Sequence, residues 1–105
     1  MESSNFSKLI TLDLSCNLLG DEGVRILSKP PFLRNRIRLN LRANMIMNGG
    51  AFALANSRLL GRLKHLDLSY NNIEGEGLQV LQRPKLLNLF RNLELEIVPQ
   101  RSDSA

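Results

Sequence analysis

Hydrophobic and polar positions along this chain recur in a fixed order. In the stretch LKHLDLSYNNIEGEGLQVL, apolar residues stand at Leu63, Leu66, Leu68 and Ile73, with Asn71 between the last two. A step of 27 residues toward the N-terminus meets Arg36, Leu39, Leu41, Asn44 and Ile46, and a second such step meets Leu9, Leu12, Leu14, Asn17 and Leu19. The same step forward meets Phe90, Leu93 and Leu95, but Val98 where the asparagine should be, so a fourth unit starts and stops. Leu12 and Leu14 alternate with Thr11, Asp13 and Ser15, the period of two that a half-buried strand requires. Strands are therefore expected near 10–14, 37–41, 64–68 and 92–96, each parallel to its neighbours. After each asparagine the glycine-bearing stretches GDEG, NGG and EGEG turn into short apolar segments, which predict helices near 21–28, 48–56 and 75–82. Asp21 is the expected N-cap of the first, and Pro30, Pro31 and Pro84 stop the first and third, because proline cannot continue the hydrogen-bond ladder.

The agreement extends past the strands. Gly23, Gly50 and Gly77 form one column, Leu27, Leu54 and Leu81 a second, and Phe6, Leu33, Leu60 and Leu87 a third. The spacing L-x-x-L-x-L-x-x-N-x-L is that of the leucine-rich repeat. Over about residues 6 to 97 the chain resembles leucine-rich-repeat proteins, most closely the ribonuclease-inhibitor-like subclass, with a strand and a short helix per unit. The resemblance implies an α/β solenoid: a short horseshoe arc with a parallel sheet on its concave face and short helices on its convex face. Residues 1–97 would form one domain of about three full units and a terminal strand, and 98–105 a polar tail. It also implies that Asn17, Asn44 and Asn71 turn inward and bond the loop backbone of their own and neighbouring layers.

Composition adds constraints. A chain of 105 residues suits one domain, and its hydrophobic content of 43% is ordinary for a globular protein. The single Cys16 excludes an internal disulfide, which points to a reducing compartment. No apolar run approaches the ~18 residues of a membrane span, and MESSNFSKLITL lacks a signal-peptide pattern. The expected location is the cytoplasm, or a host cell reached by a route that needs no signal peptide. The net charge of +4 raises nucleic acid as a partner. The distribution argues otherwise: Lys29, Arg34, Arg36, Arg58, Arg62, Arg83, Lys85 and Arg91 follow the helices, and Asp21, Glu22, Glu74 and Glu76 begin them, as helix dipoles favour.

Stacked strands would set outward residues in rungs: Thr11, Arg38, His65, Asn92; then Asp13, Asn40, Asp67, Glu94; then Ser15, Arg42, Ser69, Glu96; then Cys16, Ala43, Tyr70, Ile97. This polar face of mixed sign suits protein recognition, in which arginine and tyrosine supply most anchoring energy. The expected partner-binding residues are Thr11, Asp13, Arg38, Asn40, Arg42, His65, Asp67, Ser69, Tyr70, Asn92 and Glu94. Read as a triad, His65, Asp67 and Ser69 fail: i, i+2 neighbours on a strand stand about 6.5 to 7 Å apart, against a hydrogen-bond reach of about 3 Å. One histidine, one cysteine and scattered carboxylates form no metal-ligand set, and the glycine turns lack the lysine and hydroxyl of a phosphate loop. No catalytic residue, cofactor or small-molecule substrate is expected. By resemblance, such chains are partner-binding scaffolds: inhibitors, adaptors, immune receptors and, in bacteria, effectors acting on host proteins. Alternatives are a recruiting domain or fragment of a larger enzyme or effector, such as a ubiquitin-ligase-type adaptor, and an anion or nucleic-acid binder using the basic edge. The pattern fixes neither the partner's identity nor an oligomeric state.

Overall fold

The computed structural model describes residues 9–29, 36–83 and 93–101. In chain order the elements are β1 (Leu9–Asp13), α1 (Gly20–Leu27), β2 (Arg36–Asn40), α2 (Asn48–Ala55), a 3-10 turn (Arg58–Arg62), β3 (Leu63–Asp67), α3 (Gly75–Leu81) and β4 (Glu94–Glu96). The four strands form one sheet in the order β1-β2-β3-β4, and every neighbouring pair is parallel. Parallel neighbours need a crossover, and the described helices lie within these crossovers. The result is a two-layer stack with a sheet on one face and helices on the other.

The core lies between the layers. Ile37, Leu39, Leu41, Leu66 and Leu68 from the sheet meet Ile46, Ala51, Leu54 and Leu81, all buried. Where Arg36 interrupts the leucine column, the backbone adjusts. Ile37 pairs with Leu63, then the register shifts so that Arg38 pairs with His65. The irregularity brings Ile37 into register with Leu63, and both are buried.

The last strand departs from the constant step. His65 pairs with Glu94, Leu66 with Leu95 and Asp67 with Glu96, a step of 29 residues rather than the 27 that joins β1 to β2. Because side chains alternate with a period of two, a two-residue slip keeps every side chain on its own face. Leu95 therefore stays with the leucines, and Ile97 is buried. Glu94 moves to the rung of His65, and Glu96, expected beside Ser69, takes the place expected of Glu94 beside Asp67.

This slip also completes the asparagine ladder. Asn44 Oδ1 accepts the N–H groups of Asn17 and Leu19 at 2.8 and 3.2 Å, and its amide donates to the carbonyls of Leu14 and Arg42. Asn71 does the same one layer on, accepting from Asn44 and Ile46 and donating to Leu41, Leu68 and Ser69. The sequence pattern ends here, at Val98. In the structure Gln100 takes the next place: its Oε1 accepts the Ile73 N–H at 2.9 Å, and its amide donates to Leu68 and Ile97. Asn44 and Asn71 are fully buried, whereas Asn17, expected inside, is exposed. Its amide bonds only to Leu14 and Ser15 of its own layer, because among the described residues no layer lies beyond β1.

A second ladder explains Gly50 and Gly77 of the glycine column. Asp21 does not cap its own helix; α1 has no side-chain cap at its N-terminus. Asp21 Oδ1 instead accepts the N–H of Met47, the residue that precedes α2, at 2.7 Å. Asn48 repeats this one layer on, accepting the N–H of Glu74 at 3.0 Å. These bridging side chains lie against the next layer's glycine. A Cβ at Gly50 would stand 2.7 Å from Asp21 Oδ1 and 2.6 Å from Ile46 Cγ2, and one at Gly77 would meet Asn48 Oδ1.

Candidate functional site

The strands β1, β2 and β3 leave the sheet through the same turn. The N–H of Ser15 is held by Asp13 Oδ1 at 3.0 Å, that of Arg42 by Asn40 Oδ1 at 3.0 Å, and that of Ser69 by Asp67 Oδ1 at 2.9 Å. Short oxygen-bearing side chains two residues back stabilise such turns. Ser15 and Ser69 add a hydroxyl bond of 2.6 Å to the same carboxylates. The Ser15 hydroxyl and then its N–H hold the Asp13 carboxyl below its ordinary pKa of 3.8, against a small opposing effect of burial.

Following the turn, Cys16, Ala43 and Tyr70 adopt left-handed backbone, with φ of 59°, 57° and 59°. Their N–H groups bond the next layer, to Arg42, Ser69 and Pro99 respectively. Since the conformation recurs in all three layers, it belongs to the architecture rather than to one residue's task. In the third layer it sets Tyr70 beside the second-layer Arg42, whose guanidinium carbon lies 4.4 Å from the ring centroid. Both side chains are exposed.

The face expected from the sequence is only partly available. Thr11 and Asp13 on β1, Arg42 beyond β2, Tyr70 beyond β3 and Glu94 on β4 are exposed, while Arg38, Asn40 and His65 are half-buried. Asp67 and Ser69 are buried, at 8% and 5% exposure, and bonded to each other. Asn92 lies outside the described residues. The spacing argument against Asp67–Ser69 contact holds for a continuous strand, and the chain turns after Asp67, which brings the two groups to 2.6 Å. His65 is not joined to them. Its Nε2 lies 2.9 Å from Glu96 Oε1, while its buried Nδ1 has no partner among the described residues.

Two features escaped the sequence reading. Glu96 reaches His65 because of the slipped register, which no local signal announces. The turns also expose large apolar residues: Leu18 at 74%, Met45 at 51% and Met47 at 47%. Leu18 and Met45 occupy equivalent places in successive units, both with left-handed backbone, so an apolar column after the strand was available as a signal. Met47 also lines, with Asn48, Gly49, Asn72 and Glu74, an open cleft of about 400 Å³ on the same edge. Among the described residues, no three His, Cys, Asp or Glu side chains group as metal ligands would, and no helix is long and apolar enough to cross a membrane.

Residues 7–28 and 63–81 match the family model described as Leucine Rich repeat. The architecture is a leucine-rich-repeat solenoid. Its parallel strands and intervening helices, stacked on leucines and bridged by asparagines, are what the two matched segments imply for the unit between them. That intervening leucine-rich unit is the one in which Arg36 stands at the first leucine position. No curated protein and no solved structure matches the chain. The matches support a leucine-rich-repeat protein, and repeats of this family generally mediate protein–protein interaction.

Proposed function

We propose that this leucine-rich-repeat chain is a non-catalytic module that binds a protein partner through its concave sheet face. The observation that carries the reading is the exposed Arg42–Tyr70 pair, 4.4 Å apart, where the two central layers leave the sheet. Tyrosine and arginine are the commonest energetic anchors of protein interfaces, and side chains already held in place lose less entropy on binding. Around the pair, Thr11, Asp13, Arg38, Asn40, His65 and Glu94 supply polar contacts of both signs. Asp67 and Ser69 support the face from beneath by fixing the turn that leads to Tyr70.

The experiment compares proteins captured from the native cell's lysate by the wild-type chain and by the Arg42→Ala, Tyr70→Ala double variant. A concave-face partner loses about 2 kcal/mol or more of binding in the double variant, while the melting temperature stays nearly unchanged. Undiminished capture by a folded double variant would overturn the reading and direct attention to the basic edge at Arg58, Arg62 and Arg83.

A further inference from the structure

Resting on that reading, we infer that the concave face takes an acidic, extended peptide segment of the partner, whose carboxylates are received by Arg38 and Arg42. The argument begins with which charges the fold has already used. Asp13 is held by Ser15, Asp67 is buried against Ser69, and Glu96 bonds His65. Asn40 Oδ1 is occupied by the Arg42 N–H. Arg38 and Arg42 are left at the centre of the face, neither in an ion pair among the described residues. The exposed carboxylate of Glu94 is two strands away from Arg38, with His65 between them. At about 4.8 Å per strand their backbones stand roughly 10 Å apart, and no ion pair joins them among the described residues.

The two cations are arranged for a linear ligand. Arg38 lies on β2 and Arg42 two residues past its end, in the turn that Asn40 holds, so the two stand at most about 13 Å apart, the length of four extended residues. Carboxylates up to four residues apart on an extended segment running along β2 span that distance, and the long arginine side chains cover the remainder. Tyr70 adds preorganisation: its ring, 4.4 Å from the guanidinium carbon, holds Arg42 in place, and the N–H edge of a guanidinium takes a carboxylate with two parallel hydrogen bonds. Beyond Arg42, exposed Met45 offers an apolar landing for the residue that follows. A wide polyanion fits less well. Asp13 on β1 and Glu94 and Glu96 on β4 flank the arginines, so attraction is confined to a stripe along β2, and a nucleic-acid strand with its own breadth of phosphates would meet these carboxylates. Arg58, Arg62 and Arg83 are exposed as well, but among the described residues no aromatic ring holds any of them.

The test is fluorescence anisotropy with three labelled probes: a short peptide with glutamates four residues apart followed by leucine, its glutamine counterpart, and a single-stranded DNA of similar length. The glutamate peptide is expected to bind about tenfold or more tighter than the glutamine peptide, and Arg38→Gln with Arg42→Gln to remove that preference. Arg58→Gln with Arg83→Gln should change it less than about twofold. Should the concave double variant melt early, Arg42→Gln alone, at an exposed position, carries the same comparison. Equal binding of the two peptides, equal loss in the edge variant, or tighter binding of the DNA through the same arginines would overturn the inference. Failure here is separable from failure of the concave-face reading. If the peptides bind equally while Arg42→Ala, Tyr70→Ala still abolishes partner capture, the acidic segment is wrong and the face is right; if capture also persists, both fall.

Discussion

The guanidinium carbon of Arg42 stands 4.4 Å from the ring centroid of Tyr70, a contact between residues that follow two successive strands. Exposed pairs of this kind contribute about 0.5 to 1 kcal/mol. A double-mutant cycle of Arg42→Ala and Tyr70→Ala, read by urea unfolding, is therefore expected to give a coupling of about 1 kcal/mol or less. A coupling above about 2 kcal/mol would mean that the pair holds the layers together, and would weaken its standing as an anchor available to a partner.

The asparagine ladder predicts a graded series. Asn44→Ala strands the N–H groups of Asn17 and Leu19, and should cost about 1 to 3 kcal/mol. Asn71→Ala should cost at least as much, since all its partners are buried. Gln100→Ala should cost about 1 kcal/mol, because the Ile73 N–H loses its acceptor. Asn17→Ala, at the exposed end, should cost least. Denaturation midpoints test the order, and a silent Gln100→Ala would remove glutamine from the ladder.

Gly50→Ala sets two effects against each other. Alanine favours helix over glycine by about 1 kcal/mol, whereas overpacking costs about 1 to 3 kcal/mol. The new methyl would lie 2.6 Å from Cγ2 of fully buried Ile46 and 2.7 Å from Asp21 Oδ1, which is itself fixed by Met47. Overpacking is expected to win, lowering the melting temperature. A raised melting temperature would show that Asp21 can move without loss.

The Ser15 bonds to Asp13 predict a pH effect of known sign. The folded carboxyl titrates below 3.8, so the stabilisation is present above that value and is lost as pH falls through the folded pKa. Carboxyl NMR titration should show Asp13 below 3.8 in the wild type and returning toward it in Ser15→Ala. An unchanged Asp13 titration in Ser15→Ala would count against the turn.

Sequence alone determined the stack. The spacing of leucines and asparagines in three units set the parallel register, the inward and outward faces and the approximate bounds of the helices, because a period of two on strands recurring at a fixed step admits one arrangement. It also put Arg42 and Tyr70 on the outward face. Tertiary structure decided whatever depended on a neighbour in the next layer. Asp21 bonds Met47 rather than its own helix because a crossing layer offers an N–H at the right height, and local capping rules cannot anticipate that. Asp67 and Ser69 pair with each other through the same turn as Asp13 and Ser15, yet they are buried whereas Asp13 is exposed, because β3 has a strand on each side and β1 lies at the edge of the described sheet. Gln100 replaces the missing asparagine only because β4 slips by two residues, and its longer side chain carries an amide able to bridge Ile73 and Leu68. The pattern of a single strand fixes its own faces; partners across layers are fixed only when hydrogen-bond satisfaction in the packed stack selects one register.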